Sequence, residues 1–135
     1  MLRNTLLYAL LIVIGFSCSS PSKKNPVTDT EVATAFVRNI LDNKFDEAEQ
    51  YLLKNETNNE LFSRFRNQYS NQKKELLEKY KSADILVNEE SYVTDSIYIF
   101  NYSNSFTKDV KNKLKLVRVK GKWLIDFQYT FSGNL

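Results

Sequence analysis

Any chemistry in this chain falls to carboxylates, phenols and ammonium groups, because it contains no histidine and a single cysteine, Cys18. Neither a Ser-His-Asp nor a Cys-His nucleophile can be assembled from that set, and no imidazole is present to ligate a metal. What remains is proton transfer by a desolvated carboxylate, with a phenol to steady the resulting oxyanion. Asp126 is the carboxylate set in the most apolar stretch, and Tyr98, Tyr102 and Tyr129 are phenols that can accompany it. Strand alternation turns Asp126 away from the face that carries Trp123, Ile125 and Phe127. It is therefore expected outside the sheet, and no catalytic residue is assigned.

Two further residue groups carry binding chemistry. Tyr98, Phe100, Tyr102, Trp123, Ile125, Phe127 and Tyr129 alternate along strand-like stretches. They either line a pocket for an apolar or sugar-like ligand, with tyrosine hydroxyls as its few polar contacts, or fill a core poor in aliphatic residues. Lys111, Lys113 and Lys115 belong to a stretch, residues 108–122, with seven bases and one acid, whereas residues 28–62 carry eight acids and three bases. Such a basic surface suits anionic lipid headgroups, or protects an edge strand against unwanted pairing. A formal net charge of +3 over 135 residues does not point to nucleic acid. Glu89-Glu90 and Asp46-Glu47 lack the spaced oxygen ligands and glycine of a calcium loop, so neither metal nor cofactor is expected.

Cys18 takes its meaning from what precedes it. Arg3 is followed by an uncharged apolar run at residues 6–16, and Gly15, Phe16 and Ser17 lead directly into the cysteine. A permanent membrane span needs about 20 apolar residues, so eleven suit the core of a signal peptide. The small residue before the cysteine resembles the lipobox of bacterial lipoproteins, although Phe16 and the absence of a leucine three places upstream of Cys18 depart from the strict pattern. The resemblance implies removal of residues 1–17 and acylation of Cys18. Several acyl chains, at about 0.8 kcal/mol per buried CH₂, hold a protein on a membrane. Ser19, where an inner-membrane retention signal would place aspartate, implies the outer membrane. Residues 18–27 then read as lipidated cysteine and flexible tether, with both prolines of the chain.

The elements that position these groups follow from residue 28 onward, as one domain over 28–135. Thr28 and Glu31 form a capping box, and Val27 and Val32 a hydrophobic staple. Val32, Phe36 and Ile40 mark the buried stripe of the first helix, which Asp42-Asn43 ends. A short second helix is expected over 45–53. A third, longer one runs from Leu61 to Tyr80, with a kink or early stop in its polar middle at 70–74. The period then changes from 3.6 to 2. Strands are predicted over 84–88, 92–103, 113–120 and 122–131, the last two joined in a hairpin through Gly121. Leu114 and Leu116 have one parity and Val117 and Val119 the other, which predicts a bulge or a sharp twist near Leu116. The fold class is α+β: three N-terminal helices packed on a curved four-stranded antiparallel meander.

This order, with the segment Asn43-Lys44-Phe45-Asp46-Glu47-Ala48 and the hairpin Lys120-Gly121-Lys122-Trp123-Leu124-Ile125-Asp126, resembles the nuclear-transport-factor-2-like superfamily, and especially its small bacterial envelope lipoproteins. The resemblance implies a cone-like, cystatin-like wrap of sheet around helices whose open end often forms a pocket. Members include isomerases, dehydratases and hydrolases as well as binding modules, so fold does not decide activity. The expectation is a lipid-anchored, non-enzymatic binding or association module facing the periplasm. Its partners are the membrane through the N-terminal lipid, a small apolar ligand or protein partner, and a second copy in a homodimer. The alternatives are a carboxylate- and tyrosine-dependent isomerase or hydrolase in the cone, and a structural dimerisation module.

Overall fold

The computed structural model describes residues 26–131. The leader, Cys18 and all of the tether but Pro26 and Val27 lie outside the described residues. The first element, α1 (Asp29–Leu41), starts as its sequence dictates: the Thr28 side chain accepts from the Glu31 backbone N–H, and the Glu31 carboxylate reaches back to the Thr28 N–H. Its buried stripe is Val32, Ala33, Phe36, Val37, Ile40 and Leu41. Asn43 ends it in the left-handed region at φ 58°, a conformation asparagine tolerates because its side chain bonds locally. Here the Asn43 Oδ1 is engaged at long range instead, accepting from the Ser70 hydroxyl at 2.8 Å.

The second helix, α2 (Phe45–Glu49), is shorter than predicted. The chain beyond it runs beside the last strand, where the Leu53 N–H donates to the Ile125 carbonyl at 2.9 Å and the Ile125 N–H to that of Tyr51 at 2.7 Å. The expected long third helix is two: α3 (Glu56–Ser70) and α4 (Lys74–Lys81). The break falls in the polar stretch, where no apolar side chain repays a continued helix, so three helices become four. Arg38 of α1 fastens α4 by donating to the Lys81 and Ala83 carbonyls at 2.9 and 2.7 Å.

Four antiparallel strands form an unclosed sheet in sequence order: β1 (Ile85–Thr94), β2 (Ile97–Asn104), β3 (Asn112–Val119) and β4 (Lys122–Asp126). Three strand predictions need correction. Residues 92–103 are not one strand but span the β1–β2 hairpin, turning at Asp95-Ser96 without glycine or proline. The register through β3 is unbroken, so there is no bulge at Leu116. Leu114 and Leu116 face inward, while Val117 and Val119 lie on the outer face and stay partly exposed. The irregularities sit instead in β1, between Val87 and Glu89 and between Tyr92 and Thr94. Finally, β4 stops at Asp126, and the alternating Phe127, Tyr129 and Phe131 pass into a helical turn, α5 (Gln128–Phe131).

The turn has a polar cause that alternation cannot reveal. Asn58 of α3, fully buried, donates through Nδ2 to the Leu53 carbonyl at 3.0 Å and accepts from the Gln128 N–H at 2.8 Å. Between sheet and helices the core is aromatic: Phe127 packs against Phe36, Phe62 and Phe65, with ring centroids 5.3 to 5.9 Å apart. Rings thus supply the volume that aliphatic residues do not.

Candidate functional site

The predicted pocket residues separate into three places. Tyr98, Phe100, Ile125 and Phe127 are buried in the core, so they fill space rather than line a cavity. Trp123 stands half-buried at the rim beside the N-terminus of α1, and Tyr129 is half-buried on α5. Trp123 lines a groove with Val27, Asp29 and Arg118, and Tyr102 opens on a separate cleft. Asp126 lies on the outer face as alternation requires, paired with Lys115 at 3.0 Å. Lys111 is exposed and Lys113 half-buried. The edge-protection reading of these lysines fails, because β3 is flanked by β2 and β4. The edges are β1 and β4, and on β1 the two irregularities and the exposed Glu89 guard against pairing.

One polar cluster lies where α1 begins. Tyr92 donates its hydroxyl to the Asp29 Oδ2, and the Thr30 N–H donates to Oδ1 at 2.7 Å. The Tyr98 hydroxyl donates to the Glu90 Oε1, which the Thr30 hydroxyl also reaches at 2.8 Å. Burial first, and then that bond to Glu90, pushes the Tyr98 phenol up from its ordinary value. Tyr92 is pushed up chiefly by its bond to Asp29. The rings of Tyr92 and Tyr98 lie 5.1 Å apart, each 6.4 Å from Trp123, over which Arg118 sits at 5.8 Å. This is a carboxylate with phenols beside it, the combination that proton abstraction would need. Both Asp29 oxygens, however, already accept hydrogen bonds, and the hydroxyls are spent on carboxylates. The cluster's chemistry is to lock the first turn of α1 against β1 and β2.

The other end of α1 is different. A cleft of about 290 Å³ opens there. Its floor is Ile40 and Leu41 from the last turn of α1. One wall is the end of α3, with Phe65, Gln68 and Tyr69 at helical spacing, and Gln72 in the bend that follows. Tyr80 of α4 stands beside them, its ring 5.5 Å from that of Tyr69. The facing wall is Tyr102 and Asn104 at the end of β2, with Thr107, Val110 and Asn112 following. Asn104, buried, shapes that loop by accepting from the Phe106 and Thr107 N–H groups at 3.0 and 2.9 Å. Phe131 of α5 stands half-exposed at the mouth.

The polar groups of this cleft divide into used and unused. Tyr69 donates to the Leu41 carbonyl at 3.4 Å, and burial first, then the neighbouring Tyr80, pushes its phenol up. Burial alone pushes up that of Tyr102. The Tyr102 hydroxyl and the side-chain amides of Gln68 and Gln72 have no hydrogen-bond partner among the described residues. None of the thirteen lining residues is charged, although 26% of the chain is. Apart from Tyr102, sequence reasoning missed this site. The polar break after Ser70 was its one visible trace.

Among the described residues no group of carboxylates or other ligands is placed to hold a metal ion, and no helix is long and apolar enough to cross a membrane. Compared with protein families, curated proteins and solved structures, the chain matches none.

Proposed function

We propose that this chain is a lipid-anchored, periplasm-facing binding module of the cell envelope, non-enzymatic, held to the membrane through Cys18 and binding through the cleft at the far end of α1. The reading takes the helices-then-meander order as that of a nuclear-transport-factor-2-like lipoprotein. The observation that carries it is the placement of the two ends. The tether joins at Val27, beside the locked cluster of Asp29, Thr30 and Tyr92, whereas the uncharged cleft opens by Ile40 and Leu41. A helix of 13 residues separates them, about 20 Å at 1.5 Å per residue. An anchor at one end thus leaves the cleft at the end of α1 opposite the tether. The core between the ends is filled by Phe100, Leu114, Leu116 and Ile125, which favours binding at the distal end over chemistry in a cone.

The test is mass spectrometry of the protein purified from membranes. The expected N-terminal peptide begins at Cys18 and carries acyl chains, and Cys18→Ser moves the protein to the soluble fraction. An unmodified Cys18, or a mature chain beginning elsewhere, overturns the anchor.

A further inference from the structure

We infer that the distal cleft binds one neutral sugar ring, a hexopyranose or its N-acetylated amino form, an inference that rests on reading the cleft as the binding end. Charge argues first. A phosphate, carboxylate or ammonium entering this cleft would be desolvated against thirteen uncharged residues, the nearby Arg38 and Asp42 being already paired with each other at 2.8 Å. Nucleotides, acidic metabolites and polyamines are thereby disfavoured.

The unused polar groups exclude the opposite extreme. A purely apolar ligand would cover the Tyr102 hydroxyl and the Gln68 and Gln72 amides, leaving their hydrogen bonds unmade at about 1–3 kcal/mol each. A carboxamide offers both donors and an acceptor, and so does a sugar's ring of hydroxyls, each of which donates and accepts. The rings of Phe65, Tyr80 and Phe131 supply apolar surface for the C–H face of a pyranose, which hydroxyls alone cannot satisfy. Size limits the occupant. At about 290 Å³ the cleft lies at the small end of ligand pockets, which run from roughly 300 to 1,000 Å³. That holds a single ring, with Phe131 at the mouth where further sugars of a glycan would leave.

The experiment is saturation-transfer NMR on the full mature protein in a sugar-free detergent, with N-acetylglucosamine, glucose, glucose 6-phosphate and 1-hexanol as probes. The expected result is transfer to the ring protons of at least one neutral pyranose and none to the phosphorylated sugar. Tyr102→Phe, which keeps the ring stacked on Phe100, and Gln72→Ala, on an exposed side chain, each weaken that binding about three- to tenfold. Equal binding of glucose 6-phosphate, or unchanged affinity in both variants, overturns the proposal. Binding of 1-hexanol with neither pyranose overturns the sugar class alone. Binding of none of the probes overturns the cleft as binding end too, while acylation of Cys18 is read separately by mass spectrometry.

Discussion

At the scale of single residues, the most consequential side chain of the interior is polar. Asn58 joins three segments that share no sequence pattern: the chain leaving α2, the first turn of α3 and the turn after β4. Asn58→Ala removes the side-chain partner of the Leu53 carbonyl and of the Gln128 N–H, both part-buried bonds. At about 1–3 kcal/mol per unmade bond, we expect stability to fall by about 2–4 kcal/mol. Urea denaturation measures this as a lower midpoint at unchanged slope, and a shift under about 0.5 kcal/mol would show that the bonds are replaceable. Residue-scale signals were legible where they are local. Thr28 and Glu31 lie three positions apart, and both arms of the capping box form. Asp126 faces outward because neighbouring strand residues must alternate. Asn58 was illegible because its partners lie 5 and 70 positions away and an asparagine in a polar stretch reads as surface.

At the scale of elements, what the sequence left unsaid is where strands stop. Residues 92–103 alternate without interruption, yet the β1–β2 hairpin turns within them. Its turn uses the Ser96 N–H donating to the Thr94 hydroxyl at 3.2 Å rather than glycine or proline. Phe127, Tyr129 and Phe131 continue the strand period into α5 because a bond from Asn58 overrides it. The cleft was hidden for a related reason: its walls come from α3, α4, β2, the loop after it and α5, and only Tyr102 and Phe131 carried a period-2 signature. Like α5, the α4 wall has no fully buried residue. Leu77 and Tyr80 rest on the core from one side, and Arg38 holds the helix end through a planar fork that an ammonium cannot reproduce. Arg38→Met keeps most of the apolar stem and removes the donors. Amide exchange within α4 is then expected to speed up about tenfold, while β3 is unchanged. Exchange that stays the same in α4 would mean its apolar contacts suffice.

For the molecule as a whole, the phenols make stability depend on alkaline pH. Tyr69, Tyr98 and Tyr102 are all held above the ordinary tyrosine value of 10.0, by burial first in each case. In the unfolded chain they return to about 10. Above that pH the folded state therefore binds more protons than the unfolded one, and proton linkage makes stability decline as pH rises. The stabilisation is complete below pH 10 and is lost as pH climbs toward the raised folded values. The three lie at both ends of the molecule, Tyr98 in the cluster by the tether and Tyr69 and Tyr102 at the cleft, so no single region can yield first and spare the rest. We expect the urea midpoint to stay level up to about pH 9.5 and to fall steeply beyond it. The absorbance of tyrosinate should show these phenols ionising only together with the loss of circular dichroism. If instead every tyrosine titrates near pH 10 while the fold persists, the hydroxyls at both ends are open to solvent. The raised value of the Tyr102 phenol at the cleft would then fail along with the linkage.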